Sequence, residues 1–184
     1  MIDISKHIEG CKKGKRRSQR KVYDLFSRQM FSICLLYCKN ISDAEDVLQM
    51  GFVKVFTHID QVLDTRKFAV WVRTIMVRTA LQFIKQKPEF EVFEDRHVAD
   101  KEYEMNIDFD TYTYDKLVFH LQKLPLGYQT VFNLCVFEEM SHSEIAAQLN
   151  CTESTFRSQL YKARKQLQEL VMADSHLKPI AIRA

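Results

Sequence analysis

The chain has 184 residues, of which 46% are hydrophobic and 28% are charged, and only four glycines and three prolines interrupt it. The longest apolar stretch, Ile33 to Cys38, is far shorter than the ~20 residues that span a bilayer. Residues 1–10 lack the basic-then-apolar pattern of a signal peptide. These features exclude a membrane-spanning protein, and we expect a cytoplasmic one.

The net charge of +3 conceals an uneven distribution along the chain. Residues 1–85 carry +8, residues 86–115 carry −7 and residues 116–184 carry +2. Two basic blocks separated by an acidic one predict two domains joined by a linker. The basic blocks also indicate a polyanionic partner.

Three helices are predicted in the first basic block. Apolar residues recur at intervals of three and four from Lys21 to Asn40, which is the helical period. A second helix is predicted to begin at Ser42, because Ser42 and Glu45 have the spacing of a capping box. After a polar stretch, Thr57 to Lys67, a third helix is predicted from about Phe68 to Lys85. A proline three residues further on discourages its continuation.

The acidic segment, residues 88–115, shows no helical period. A structureless stretch of that length inside one compact domain would be unusual, so we predict a linker between two domains. The first domain is expected to comprise residues 1–87 and the second residues 116–175, followed by a tail of residues 176–184.

The second domain is predicted to end in a helix-turn-helix. Ser141 and Glu144 form a second capping-box pattern, Asn150 occupies a turn position that favours positive φ, and Thr152 can cap a last helix of about residues 153–172. Short polar residues and an arginine on the exposed face of that helix suit base edges in a major groove. A solvated amphipathic helix has the same period, so periodicity alone leaves both interpretations open.

Motifs in both domains resemble bacterial sigma factors of the sigma-70 family. Asp43 to Phe56 resembles region two of the extracytoplasmic-function (ECF) group, and Phe68 to Ile75 resembles the Phe-x-x-Trp helix that follows it. Glu144 to Leu167 resembles region four. The matches cover most of residues 8–87 and 117–170. Three positions depart from the family pattern, which usually has Glu, Gly and Arg where this chain has Met50, Asn150 and Gln159.

The resemblance implies an all-α fold of two helical domains, a region 2 bundle and a region 4 helix-turn-helix, joined by the acidic linker. It also implies three sets of contact residues. The face that grips the polymerase β′ subunit would consist of Asp46, Gln49, Met50 and Val53. The minus-ten promoter element would be contacted by His58, Gln61, Asp64, Arg66, Arg73, Arg78 and Lys85, the last three along one side of a helix. The minus-thirty-five element would be contacted by Ser154, Thr155, Arg157, Ser158, Tyr161, Lys162 and Lys165.

Several features also have simpler structural explanations. Trp71 is expected in the core rather than against a base, and Gly51 marks either the close approach of a partner or a tolerated substitution. The basic cluster of residues 12–21 contacts upstream DNA or is a solvated surface. Cys34 and Cys38 are interpreted as buried hydrophobes in a reducing cytoplasm rather than as a metal pair. The six histidines are scattered singly, and His97, His120, His142 and His176 are expected at the surface or at helix caps.

The leading hypothesis is therefore a sigma factor that catalyses nothing itself and needs no cofactor. Its expected partners are core RNA polymerase, through the β′ and β subunits, and promoter DNA, with an inhibitory anti-sigma factor as in many relatives and no small-molecule substrate. The alternative is a helix-turn-helix regulator that does not act as a sigma subunit, against which the Asp43 to Phe56 match argues. An enzyme is disfavoured, since the sequence has no glycine-rich phosphate loop, metal-ligand spacing or convincing nucleophile-base pair.

Overall fold

The computed structural model describes residues 4–90, 114–138 and 140–174, and within these ranges it contains helices and no strand. The chain divides into two compact units, Met1–Gln86 and Lys87–Ala184. The predicted all-α class with two helical domains is confirmed. Among the helices of the described ranges, none combines the length and apolar character that a membrane span requires.

Over residues 4–86, four α-helices build the first unit. They are α1 (Ile4–Lys12), α2 (Arg16–Tyr37), α3 (Ile41–Thr57) and α4 (Phe68–Ile84). Helices α2, α3 and α4 pack against one another and α1 packs against α2. The side chains of Tyr37, Phe68 and Met76 are almost completely buried. The polar stretch between α3 and α4 contains two short 3-10 turns, Ile59–Gln61 and Thr65–Lys67.

The start of α3 differs from its prediction. The N-cap is Asn40, whose side-chain oxygen accepts a hydrogen bond of 2.8 Å from the backbone N–H of Asp43. The capping box predicted at Ser42 and Glu45 is therefore wrong, and both residues are exposed within the first turns of the helix. Asparagine is among the strongest N-cap residues, and here it precedes the predicted serine by two positions.

Gly51 is explained by the packing of α3 on α4. A Cβ atom at this position would lie 2.2 Å from the sulfur of Met76 on α4, and Met76 is completely buried. The glycine therefore permits a close contact between two helices of the same unit. It faces the core, so the suggested approach of a partner at this residue is wrong.

We expect Gly51→Ala to lower the free energy of unfolding of the first unit. Because Met76 is completely buried, its side chain has little room to move aside, and the cost of overpacking, about 1–3 kcal/mol, should exceed the gain in helix propensity, at most about 1 kcal/mol. Urea denaturation followed by the fluorescence of Trp71, the only tryptophan, would measure the loss. Adding Met76→Val removes the clashing sulfur, so the double variant should lose less than the sum of the single variants. Strictly additive losses would contradict this explanation.

The second unit also contains four helices in the described ranges. They are α5 (Tyr114–Lys123), α6 (Leu126–Val136), α7 (His142–Leu149) and α8 (Glu153–Ala173). Helix α8 packs against α5, α6 and α7, and the core includes Leu121, Phe132 and Phe156. Helix α5 begins two residues before the predicted domain start. Most of the predicted linker, residues 91–113, and the predicted tail lie outside the described residues.

His120 on α5 is buried, contrary to the surface position expected for it. Its Nε2 atom lies 3.2 Å from the carboxylate of Asp174, directly after α8. Burial and the nearby charge of Lys123 lower the pKa of His120, and the carboxylate of Asp174 opposes this effect. The folded second unit therefore disfavours the protonated imidazole.

We expect the second unit to lose stability as the pH falls below 6.5, the ordinary pKa of histidine. The unfolded chain binds a proton there that the folded unit resists, so protonation favours unfolding; above that pH this contribution stays constant. Hydrogen exchange of the α5 amides at pH 5 to 8 would report the change. His120→Gln should remove most of the pH dependence, and an unchanged profile in that variant would assign the dependence to other groups.

Candidate nucleic-acid and protein interfaces

One face of α3 exposes a mixed polar and apolar surface. Asp46, Gln49, Met50 and Val53 follow the spacing that places residues on one side of a helix, and all four are exposed. Met50 and Val53 expose 39% and 65% of their surface. We call these four residues the α3 stripe. The opposite face of the helix packs into the core.

The chemistry of the α3 stripe suits a protein partner. It carries one carboxylate, one amide and two apolar side chains, and it has no basic residue that would attract phosphate. Exposed apolar groups beside a few polar ones are typical of a surface that another protein covers. The structure thus brings together the four residues predicted to contact polymerase on one accessible surface.

The connection between α3 and α4, residues 58–67, is a braced loop, and we call it the α3–α4 loop. Within the loop, the side chains of Ile59 and Val62 are buried, whereas that of Leu63, the next residue, is 97% exposed. Asp64 accepts hydrogen bonds of 3.0 Å from both the backbone N–H and the Nε of Arg66. These bonds from Arg66 lower the pKa of the Asp64 carboxyl group. The Asp64 carboxylate is therefore engaged in hydrogen bonds that stabilise the loop itself.

Helix α1 supports the α3–α4 loop from one side. The hydroxyl groups of Ser5 and Thr65 lie 3.0 Å apart. The ammonium group of Lys12 donates a hydrogen bond of 3.1 Å to the backbone oxygen of Val62. Lys12 is thus engaged within the unit, and only the other residues of the predicted basic cluster remain available to a nucleic acid. Helix α1 was not predicted, although Ile4, Ile8 and Cys11 are spaced by four and three residues as on one face of a helix.

The residues predicted to contact the minus-ten element do not all share one surface. His58, Gln61 and Arg66 are exposed on the α3–α4 loop, Arg78 is exposed on α4, and Lys85 is exposed directly after α4. Arg73 is half-buried and lies about 140° around α4 from Arg78, since successive residues are about 100° apart. The prediction that it lies along the same side of the helix as Arg78 and Lys85 is wrong.

Trp71 lies partly in the core of the first unit. Its side chain is half-buried, and its ring stacks on that of Phe68 with 5.8 Å between the ring centroids. The cysteines of α2 are also part of the packing. Burial raises the pKa of Cys34 to about 12, so this thiol stays protonated and packs as a small hydrophobe. In the described ranges, no cluster of three or more potential metal ligands occurs.

The helix-turn-helix has the predicted caps. The Ser141 hydroxyl accepts from the backbone N–H of Glu144, and the Glu144 carboxylate accepts from the backbone N–H of Ser141 at 2.9 Å. Asn150 ends α7 with a φ of 59°, and Thr152 caps α8 through a hydrogen bond from the backbone N–H of Thr155. Ala146 is buried where the helices pack. The turn between α7 and α8 is thereby fixed.

The outward face of α8 is narrower than predicted. Ser154, Arg157 and Lys165 are exposed, and Tyr161 and Lys162 are half-buried.

Thr155 and Ser158 expose only 8% and 4% of their surface, so they are the least accessible of the residues predicted to contact the minus-thirty-five element. The Thr155 hydroxyl lies 2.9 Å from that of Thr152, which places it in the cap. Gln159 is also buried. Its difference from the family's arginine therefore concerns the interior of the second unit rather than a phosphate contact.

Two family models match the chain over the segments that hold these surfaces. "Sigma-70 region 2" matches residues 22–88, which include the α3 stripe and the α3–α4 loop. "Sigma-70, region 4" matches residues 116–167, which include the helix-turn-helix.

Curated proteins with similar sequences are named as RNA polymerase sigma factors. The ECF RNA polymerase sigma factor SigW of Bacillus subtilis is 27% identical over 180 residues, covering 90% of this chain and 95% of that protein. The RNA polymerase sigma factor SigV of the same organism is 28% identical over 138 residues, covering 75% and 81%. The ECF RNA polymerase sigma-E factor of Haemophilus influenzae is 25% identical over 174 residues, covering 85% and 90%.

Proposed function

Since the chain belongs to the sigma-70 family, and within it to the ECF sigma factors, we propose that it binds core RNA polymerase and directs promoter recognition and transcription initiation. Core polymerase and promoter DNA are its partners, and it acts in the cytoplasm without catalysing a reaction itself. A soluble or membrane-bound anti-sigma factor that covers either DNA- or polymerase-binding face would hold it inactive.

The observation that carries this proposal is the α3 stripe. A regulator that used only its helix-turn-helix would have no need for an exposed surface of apolar and acidic residues on a separate unit. The stripe lies within the region 2 match and has the composition of a protein-binding surface. We assign it to the polymerase β′ subunit.

Each of the two units binds one element of the promoter in this proposal. We assign the minus-ten element to the first unit, through His58, Gln61 and Arg66 of the α3–α4 loop and through the exposed cations of α4. Polar side chains on a braced loop suit the edges of unpaired bases, and cations suit the strand that carries them. We assign the minus-thirty-five element to α8, through Ser154, Arg157, Tyr161, Lys162 and Lys165. Bases there are read in the major groove of duplex DNA.

Reconstituted transcription tests the proposal. Core polymerase from the same organism, with and without the chain, would transcribe fragmented genomic DNA, and the 5′ ends of the products would be mapped. We expect the chain to produce discrete starts that share two upstream sequence elements and are absent with core polymerase alone. If the chain adds no start but still binds particular duplex sequences, the helix-turn-helix regulator is the better assignment.

A further inference from the structure

A groove of about 400 Å³ lies between α2 and the C-terminal end of α3. Its volume falls within the range of about 300–1,000 Å³ that is usual for small-molecule sites. Its lining residues are Arg16, Gln19, Arg20, Tyr23 and Asp24 of α2 and Phe56 of α3. None of them belongs to the α3 stripe or to the α3–α4 loop. The contacts assigned to polymerase and to the promoter therefore leave this groove without a role.

Aromatic rings line one part of the groove. Tyr23 packs against Phe52 with 4.7 Å between the ring centroids, and Phe52 packs against Phe56 at 5.9 Å. Phe52 is buried, so the core holds this series of rings in place. Tyr23 nevertheless exposes 38% of its surface, and Phe56 is half-buried. The rings thus offer a fixed surface on which a planar aromatic ligand can stack.

The polar side chains around these rings are available to a ligand. Arg20 and Asp24 have the spacing of an ion pair on a helix. Within the part of the chain that the structure describes, neither side chain makes a hydrogen bond or an ion pair, and the same holds for Arg16 and Gln19. Both arginines and Asp24 are exposed. Two cations and one carboxylate therefore surround the rings with their hydrogen-bonding capacity unused.

The charge changes from one end of the groove to the other. Arg16 is the first residue of α2, and the N-cap Lys15 makes no side-chain cap hydrogen bond, so the helix N-terminus adds to the attraction for an anion. Arg20 and Tyr23 follow on the same face, and the distance along the axis from Arg16 to Tyr23 is about 10 Å. Asp24 lies beside Tyr23, away from the N-terminal end. The groove therefore matches an elongated ligand with phosphates at one end and an aromatic ring with hydrogen-bond donors at the other.

We propose that this groove binds a guanine nucleoside diphosphate or triphosphate. Arg16 and Arg20 contact the phosphates, for which arginine provides paired hydrogen bonds. The base stacks on the ring of Tyr23, and the Asp24 carboxylate accepts hydrogen bonds from its edge. Guanine fits this edge because its ring N–H and its neighbouring amino group both donate, and a carboxylate has two accepting oxygens. Adenine offers no such pair of donors. The site adds a small-molecule ligand to the proposed function.

The basic residues at the start of α2 supply a matched control. Arg17 and Lys21 have the same spacing as Arg16 and Arg20, but they line a different cleft, between α1 and α2. Arg16→Gln/Arg20→Gln and Arg17→Gln/Lys21→Gln therefore remove the same charge from different sides of one helix. All four side chains are exposed, so both variants should fold. Asp24→Asn, also at an exposed position, replaces one accepting oxygen by an amino group and tests the contact with the base.

The test is equilibrium dialysis of the full chain, without polymerase, against radiolabelled GTP, GDP and ATP. We expect GTP and GDP to bind at least about tenfold more tightly than ATP, because ATP leaves the carboxylate without its donors. The Arg16/Arg20 variant should bind GTP at least about tenfold more weakly than wild type, whereas the Arg17/Lys21 variant should bind it as wild type does. Asp24→Asn should bring the affinities for GTP and ATP close together.

Three results would overturn the proposal. The first is the absence of saturable GTP binding up to about 1 mM, which corresponds to about −4.1 kcal/mol. The second is an equal loss of affinity in the two charge variants, which would indicate a general attraction for anions. The third is an equal affinity of wild type for GTP and ATP. If no nucleotide binds and the Arg16/Arg20 variant binds core polymerase more weakly, the groove belongs to a protein interface instead. Because the dialysis uses the chain alone, its outcome is independent of whether the chain directs transcription.

Discussion

Replacing Asp46 and Gln49 together by alanine should weaken binding to core RNA polymerase by about a hundredfold, which corresponds to about 2.7 kcal/mol. Both side chains lie on the α3 stripe, one turn apart and exposed. In a covered interface the partner groups that they face would be left without their hydrogen bonds, and this loss dominates the cost of such substitutions. Titration of labelled chain with core polymerase would give the two dissociation constants.

Two further variants make this measurement decisive. Glu45→Ala removes a carboxylate from the same helix outside the α3 stripe, and it should leave the affinity nearly unchanged. Val53→Glu inserts a charge into the stripe and should weaken binding at least as much as the double variant. Because all of these positions are exposed, the free energy of unfolding should change little in each variant. Equal affinity of wild type and the double variant would move the polymerase contact to another surface.

Arg157→Ala should lower the preference of the chain for its own minus-thirty-five sequence by about tenfold to a hundredfold, since one bidentate contact to a base contributes about 1–3 kcal/mol of discrimination. Arg157 lies on the exposed face of α8 near the N-terminal end of the helix. The preference is the ratio of affinities for cognate and altered duplexes, measured with polymerase bound.

Lys165, two turns further along α8, provides the contrast to Arg157. We expect Lys165 to contact a phosphate. Lys165→Ala should therefore weaken binding to all sequences equally and lower the slope of log affinity against log salt by about 0.9. The two variants thus separate reading of bases from attraction to the backbone. If Arg157→Ala weakened cognate and altered duplexes by the same factor, this arginine would also be a phosphate contact, and base reading would fall to other residues of α8.

Periodicity predicted the long helices because their buried residues are apolar and regularly spaced. It failed where polar residues are buried. Thr155 and Ser158 look like a DNA-facing surface in the sequence, but the packing of α8 against its neighbours buries most of both side chains. The N-terminal helix α1 was missed although Ile4, Ile8 and Cys11 have helical spacing, because nine residues hold only this short apolar series.

The motifs located the candidate surfaces better than they identified the individual contacts. The position of the α3 stripe could be predicted in full, since a motif that resembles the family pattern and a single helix face define it. The α3–α4 loop could be placed but not its internal bonds, because the pairing of Asp64 with Arg66 depends on backbone geometry that spacing does not specify. For the same reason, the division of the basic cluster between two faces of α2 emerged only from the structure.

The double use of α1 restricts how this helix can vary in length. Ser5 and Lys12 contact the α3–α4 loop, and Lys6 and Lys13, each one residue later, line a basic cleft between α1 and α2. Inserting or deleting one residue between these pairs would rotate one end of the helix by about 100° relative to the other. One end would then lose its contact with the loop or its place in the cleft. Substitutions can alter either face separately, whereas a change of register within α1 would disrupt both.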